Sequence, residues 1–358
     1  MVSPCHATGI SPRGNELPPD LREPTIIDMH AHALDEAFLH NLCSTSRFDL
    51  SADRDQAGRY RLKRGNNSSV SLDAALTDIP GRMESLARRN IGLQLIAPPP
   101  GLVSWPGGAA DVEYARALNE HCARVVAEGQ GRLELMAVLA LGEAERCAYE
   151  LERAIDLYGT RSVLLPTTAG GRPLDLEEFD AVLTVAERRG LLLFLHPVSA
   201  EPPSRFPVYE LQVVVQWPFE TTLAMARLIY GGVLDRHPGL KILIAHGGGG
   251  LIFLKGRLNA AHEAIGAEGN PYFKNKISKA PGDYFRELFF DTCSLSPESV
   301  ECTIEVAGPD RVMFGTDYPF EIGDAEGKRA LPALDKLPEA AKRKIFRGNA
   351  EAVLNRAT

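Results

Sequence analysis

Eight short apolar runs recur along this chain of 358 residues, and a stretch with the apolar spacing of an amphipathic helix follows each of them. Such runs are typical of strands buried on both faces, which occur in parallel sheets covered by helices. The predicted strands lie at 25–30, 91–97, 133–140, 161–166, 190–196, 240–246, 287–292 and 311–317. The predicted helices lie at about 73–89, 111–128, 143–158, 175–188, 219–235, 251–264, 297–307 and 339–354. Eight strand–helix units predict the α/β class and a (β/α)8 TIM barrel over residues 25–358.

Two segments depart from this alternation. Residues 1–24 are rich in proline and glycine, which predicts an irregular N-terminal arm. Residues 33–72 are polar and too long for an ordinary connection between a strand and a helix. We therefore expect an inserted flap or small hairpin at about 33–72, on the carboxyl-terminal face of the barrel and over the active site.

Histidine and aspartate residues end several of the predicted strands. The motif DMHAH (28–32) supplies His30 and His32, LLLFLHP supplies His196, KILIAHGGGG supplies His246, and MFGTDYPF supplies Asp317. The carboxyl ends of barrel strands meet on one face, so these side chains are predicted to converge there.

Three nitrogens and one oxygen, from His30, His32, His196 and Asp317, form a typical Zn²⁺ ligand set, although Mn²⁺ and Fe²⁺ accept similar sets. The fourth strand ends in LLPTT and has no lysine that could bridge two metals after carboxylation. We therefore expect one divalent metal ion per chain, with Zn²⁺ as the first choice and Mn²⁺ as the alternative. His246 is the candidate general base, because imidazole titrates near neutral pH; it is alternatively a fifth ligand or a packed core histidine.

Composition restricts the partners and the compartment. The formal net charge of −8 argues against a nucleic-acid partner. The apolar runs are too short to span a membrane, and residues 1–24 lack the apolar core of a secretory signal. Six scattered cysteines without a CxxC pair favour reduced thiols and a cytoplasmic protein.

The chain resembles the amidohydrolase superfamily, in particular the branch that contains aminocarboxymuconate-semialdehyde decarboxylase and related aromatic-acid decarboxylases. The resemblance runs from about Thr25 to Leu354 and includes FETTLAMARLIYGGVLDRHPGLK (219–241), AHGGGG and LIFLKGR (245–257), GTDYPF (315–320) and GNAEAVL (348–354).

The resemblance implies roles for individual residues. His30, His32, His196 and Asp317 would be the metal ligands, and His246 would activate water or move a proton. Arg257 would reach the site of a neighbouring subunit and bind a substrate carboxylate, which implies a homodimer. Arg61 would be a second carboxylate-binding arginine, and Phe320 would line the pocket. The alternatives are a solvated flap residue for Arg61, a helix-surface charge for Arg257 and a core aromatic residue for Phe320. Asp55 and Val213 stand where the named decarboxylase has lysine and tryptophan, so we expect a different ring or dienoic acid as the substrate.

The resulting functional hypothesis is metal-dependent, non-oxidative decarboxylation of an aromatic or unsaturated carboxylic acid. Two routes stay open: hydroxide adds to the substrate first, or the substrate binds the metal directly and Asp317 supplies the proton. The alternative function is a single-metal hydrolase or hydratase that acts on an acidic amide, lactone or enoate, since fold does not determine reaction. A binding barrel without catalysis is the third hypothesis, and release of CO₂ separates the first from the others.

Overall fold

A computed structural model describes the chain at residues 26–45, 50–54, 56, 60–64, 70–72, 74–103, 110–139, 141–198, 209–265 and 277–355. Within these ranges, eight parallel strands form one sheet in chain order. They are β1 (Ile26–His32), β2 (Ile91–Ala97), β3 (Leu133–Val138), β4 (Ser162–Pro166), β5 (Leu192–His196), β6 (Lys241–Ile244), β7 (Phe289–Asp291) and β8 (Val312–Met313). The predicted (β/α)8 barrel is therefore confirmed, and each predicted strand lies within three residues of an observed one at its start.

The barrel closes between its first strand and the residues after its last one. The amide of Met29 donates to the carbonyl of Phe314 at 2.9 Å, and the amide of His32 donates to the carbonyl of Tyr318 at 2.8 Å. The amide of Asp317 donates to the carbonyl of His30 at 2.8 Å. Backbone hydrogen bonds thus join β1, which carries His30 and His32, to the segment after β8, which carries Asp317.

Seven helices cover the outside of the barrel between successive strands. They are α1 (Ile79–Arg88), α2 (Ala110–Glu128), α3 (Ala144–Tyr158), α4 (Asp180–Arg189), α5 (Trp217–Tyr230), α6 (Leu251–Ile265) and α7 (Pro297–Ala307). Short helical segments follow at Val233–Arg236, Leu331–Leu334, Glu339–Arg343 and Asn349–Val353. The predicted helix at 219–235 is interrupted after Tyr230, because Gly232 adopts a left-handed conformation with φ of 70°.

The barrel core is continuous and apolar. All five residues of β5 are buried, including Leu193 and Phe194, which are 0% exposed. Burial of consecutive residues means that both faces of the strand are covered, as expected for a parallel sheet under helices.

The segment predicted as a flap contains a helix at Glu36–Thr45 and a three-stranded antiparallel sheet of Leu50–Arg54, Tyr60–Arg64 and Val70–Leu72. The Tyr60 hydroxyl donates to Glu36 Oε1 at 2.7 Å, which ties the sheet to the helix. Its position over the active site stays a prediction. The predicted N-terminal arm, residues 1–24, lies outside the described residues.

Candidate metal centre

The four histidines and the aspartate predicted from the sequence meet on the carboxyl-terminal face of the barrel. His30, His196, His246 and Asp317 each offer one ligand atom, and these atoms lie within 4.8 Å of one another. His32 joins them, with Nε2 at 3.2 Å from Asp317 Oδ1 and 3.3 Å from His30 Nε2. The structure therefore brings the predicted residues together, and their individual roles stay predictions.

Hydrogen bonds at the outer ring nitrogens orient the imidazoles. His32 Nδ1 lies 3.2 Å from the carbonyl oxygen of Pro98, and His196 Nδ1 lies 3.0 Å from that of Pro197. A carbonyl oxygen can only accept, so each Nδ1 carries the proton and each Nε2 lone pair faces the cluster. This is the arrangement by which proteins prepare a histidine to bind a metal through Nε2.

Three buried atoms of the cluster make no hydrogen bond within the described part of the chain: His196 Nε2, His246 Nδ1 and Asp317 Oδ1. Buried polar atoms without a partner are rare, since each costs free energy. Lone pairs that converge at about 3 Å repel each other unless a cation or a proton lies between them. The nitrogen and carboxylate donors therefore fit a divalent transition metal such as Zn²⁺ or Mn²⁺.

The charges at the site also favour a cation. Burial acts to lower the pKa of His30, but the carboxylates of Asp317 and Asp291 outweigh it and raise this pKa to about 10. Burial lowers the pKa of His32, and lowers that of His196 well below its ordinary value. Burial acts to raise the pKa of Asp317, but the neighbouring imidazoles of His30, His246 and His32 hold it well below its usual range. Without a metal, a proton on His30 thus balances the charge of the Asp317 carboxylate.

His246 lies on the more open side of the cluster. Its side chain is 17% exposed, and its Nε2 lies 3.6 Å from Asp317 Oδ2. Its backbone is left-handed, with φ of 56°, and the glycine-rich sequence after it allows this tight turn. A Cβ atom on Gly249 would lie 2.1 Å from the carbonyl oxygen of Pro218. The position of His246 at the edge of the cluster suits both a proton-transferring base and a fifth metal ligand.

The predicted substrate-binding residues lie at different distances from this centre. The ring of Phe320 is 5.1 Å from the ring of His32. Arg257 is exposed on α6. The backbone of Arg61 belongs to the antiparallel sheet, opposite Asp53, but its side chain lies outside the described residues, as does Asp55. Val213 is half-buried in a helical turn at Gln212–Gln216.

Sequence reasoning missed Asp291, the last residue of β7. Its Oδ2 lies 2.6 Å from His30 Nδ1, and the residue is 1% exposed. The signal was present, because Asp291 ends the apolar run ELFF just as His196 ends LLLFL. A carboxylate at a barrel strand end merits the same attention as an imidazole there.

Comparisons with known proteins identify relatives of this chain. The protein-family model described as Amidohydrolase matches residues 27–356. A 2-amino-3-carboxymuconate-6-semialdehyde decarboxylase of Dictyostelium discoideum is 27% identical over 330 residues, which cover 90% of each chain. A gamma-resorcylate decarboxylase of Rhodococcus jostii is 28% identical over 268 residues, covering 70% of this chain and 80% of the relative.

Solved structures share the fold. The 5-carboxyvanillate decarboxylase LigW of Sphingomonas paucimobilis superposes with a TM-score of 0.78 at 22% identity, over 94% of this chain and 100% of the other. A dihydroxybenzoic acid decarboxylase of Polaromonas sp. superposes with a TM-score of 0.73 at 22% identity, over 93% and 98% of the two chains. That structure contains bound manganese and the inhibitor 2-nitroresorcinol.

Proposed function

Because this chain belongs to the amidohydrolase family, we propose that it is a metal-dependent, non-oxidative decarboxylase of aromatic or unsaturated carboxylic acids. The observation that carries the proposal is the buried donor cluster of three oriented imidazoles and Asp317, with two unpartnered atoms. Relatives named as decarboxylases that match most of this chain support the same reaction.

His30, His32, His196 and Asp317 would hold one divalent ion. Zn²⁺ and Mn²⁺ both suit these donors, and the manganese in a protein of the same fold supports the second. When bound, the ion would act as a Lewis acid that stabilises the negative charge developing on the substrate as CO₂ leaves.

His246 and Asp317 would deliver the proton to the carbon that loses CO₂. Departure of CO₂ leaves an electron pair on the ring or chain carbon, and a proton has to replace the carboxylate there. His246 Nε2 and Asp317 Oδ2 lie 3.6 Å apart, so the two groups flank the same space and either could deliver a proton to a substrate bound there. His246 is the more accessible of the two, since its side chain is 17% exposed against 8% for Asp317.

Two arginines and one aromatic residue would hold the substrate. Phe320, beside His32, would pack against the ring or diene. Arg61 and Arg257 would pair with carboxylates, for which the planar guanidinium is suited. Because Asp55 and Val213 differ from the residues expected for aminocarboxymuconate semialdehyde, a substituted benzoic acid or another dienoic acid is the proposed substrate class.

Arg257 gives a reason to propose a homodimer. It is exposed on α6, one turn after Phe253, which is 90% exposed. Phe219 and Leu223 on the adjoining α5 are 60% and 59% exposed. We call Phe219, Leu223 and Phe253 the apolar surface. A second copy of the chain would cover it and carry its Arg257 toward the neighbouring site.

None of the helices described here has the length and apolarity needed to cross a membrane. We further propose that the substrate is a small molecule, that the cysteines are present as thiols, and that the protein is located in the cytoplasm.

The proposal is tested by measuring CO₂ release from a panel of hydroxylated and amino-substituted aromatic acids and dienoic acids. We expect release from at least one acid, and a loss of kcat of about 100-fold or more in His246→Asn. His262→Asn, on the outer helix α6, is the matched control and should retain the wild-type rate. A reaction that consumes water without releasing CO₂ would contradict decarboxylation and favour a hydrolase or hydratase.

A further inference from the structure

We propose that Asp291 is a positioning residue that fixes both His30 and His246 for the reaction, an inference that rests on the proposed function of the site. Asp291 ends β7 and is 1% exposed. Both of its carboxylate oxygens are used, and each of them accepts two hydrogen bonds from the residues around it.

The first contact sets the proton on His30. Asp291 Oδ2 lies 2.6 Å from His30 Nδ1, a length typical of a strong, charge-assisted hydrogen bond. A carboxylate only accepts, so Nδ1 keeps its proton and Nε2, which faces Asp317, is the atom that would bind the proposed metal. A partner of this kind orients the ring and raises its basicity as a ligand.

The other contacts hold the turn that carries His246. The amide of His246 donates to Asp291 Oδ2 at 3.1 Å, and the amide of Gly247 donates to Oδ1 at 2.8 Å. Both residues have positive φ, of 56° and 61°, and this conformation costs free energy for a residue with a side chain. The hydrogen bonds to Asp291 offset that cost and keep the imidazole of His246 beside Asp317.

The four hydrogen-bond partners of Asp291 in the described part of the chain are all donors, since the amide of Cys293 also donates to Oδ1, at 3.1 Å. Asparagine has the same shape but offers one accepting oxygen and one donating NH₂ group. If the NH₂ group takes the place of Oδ2, it faces the ring of His30 and the amide of His246, which are both donors. If it takes the place of Oδ1, it faces the donating amides of Gly247 and Cys293. Asp291→Asn must therefore either displace the proton of His30 toward Nε2 or loosen the turn of His246.

The test uses the full-length protein freed of metal with a chelator and titrated with Zn²⁺ in competition with a chromogenic chelator. We expect Asp291→Asn to bind Zn²⁺ about 10- to 100-fold more weakly than the wild type. Glu150→Gln is the matched control, because Glu150 is a carboxylate that is 2% exposed and pairs with Arg116 and Arg153 on the outer helices. It should lose unfolding stability without losing Zn²⁺ affinity. Equal Zn²⁺ affinity in Asp291→Asn and wild type would overturn the inference.

A second measurement does not require the variant to fold or the metal to bind. Nitrogen-15 NMR of the wild-type histidines reports which ring nitrogen of His30 is protonated. We expect a slowly exchanging proton on Nδ1 with and without Zn²⁺, and an unprotonated Nδ1 would overturn the role of Asp291. If the wild type takes up no Zn²⁺ while His30 Nδ1 keeps its proton, the proposed function fails and the contact between Asp291 and His30 stands.

Discussion

Single atoms decide whether this cluster can bind a metal, and Gly315 shows how little space surrounds them. A Cβ atom at position 315 would lie 2.9 Å from the Cβ of His30 and 3.1 Å from the Cβ of Asp291. Contacts below 3.0 Å between such atoms require movement of the backbone or of the neighbours. The glycine therefore keeps the segment after β8 close enough for Asp317 to meet His30.

Gly315→Ala is expected to displace His30, weaken metal binding by at least tenfold and destabilise the fold by about 1–3 kcal/mol. Metal titration and urea unfolding of the metal-free protein measure the two effects. Gly256→Ala is the control, since a Cβ atom at position 256 on α6 meets nothing within 4 Å. That change should stabilise the helix by roughly 0.5–1 kcal/mol. Unchanged metal affinity in Gly315→Ala would show that the close approach is not needed.

The convergence of the cluster residues could be predicted because each lies at or just beyond the carboxyl end of an apolar strand, and strand position fixes the face of the barrel. His30, His32, His196, His246 and Asp317 met as predicted. The outer partners of these residues could not be predicted in the same way. Carbonyl groups such as that of Pro98 leave no sequence signal, because every residue has one.

Among the elements, helix α1 contacts the barrel wall through the buried side chain of Arg82. Arg82 is 0% exposed, and it donates to the backbone carbonyl of His32 and, at 2.7 Å, to Gln94 Oε1. Its guanidinium also lies 4.6 Å from the ring centre of Tyr318, the residue after Asp317. Arg82 thus contacts the two segments that carry His32 and Asp317, and couples the helix to both.

Arg82→Met is expected to cost roughly 2–4 kcal/mol of unfolding free energy, because it leaves two buried acceptors without a donor. Arg88→Met on the same helix is the matched control. The Arg88 side chain is 63% exposed and lies 3.8 Å from Glu326, so its loss should change stability by less than about 0.5 kcal/mol. Chemical unfolding of both variants gives the comparison, and similar losses would contradict the proposed coupling.

Elements were predicted well where apolar spacing determines them. All eight strands and the main helices appear in the described chain, because burial on both faces gives a strand a continuous apolar run. The helix at Glu36–Thr45 was not predicted, since the segment from 33 to 72 was treated as one polar insertion. The burial of Arg82 was also not predictable, as a charged residue in an amphipathic helix is expected to face solvent.

In the whole molecule, the proposed metal site and the proposed dimer interface are connected through helix α6. The apolar surface lies on α5 and α6, whose amino-terminal ends are joined by a hydrogen bond from the Gly250 amide to Thr222 Oγ1 at 2.8 Å. Arg257 lies on the same helix as Phe253, four residues later. A dimer that covers this surface would therefore also position the arginine.

Light scattering after gel filtration should give twice the mass of one chain for the wild type. Phe253→Glu is expected to shift the protein to the mass of one chain, because a carboxylate would be buried at the interface. Tyr149→Glu, at a site 68% exposed on α3, should remain a dimer. A wild type with the mass of a single chain would rule out this assembly.

The shared site can be tested by mixing two inactive variants. Arg257→Ala and His246→Asn, refolded together, should regain activity that neither has alone, since a mixed dimer contains one complete site.

The sequence alone could not show whether an exposed arginine serves the neighbouring chain. It also does not determine the substrate, which depends on the shape of the pocket.

Metal-dependent decarboxylation is tested by the metal content of the purified protein, measured together with CO₂ release before and after chelation. We predict about one Zn or Mn per chain, loss of CO₂ release when the metal is removed, and recovery when it is returned. His196→Ala should purify with little metal and release no CO₂. A wild type that contains no metal and releases CO₂ equally well with and without added Zn²⁺ or Mn²⁺ would show that the reaction does not depend on a metal.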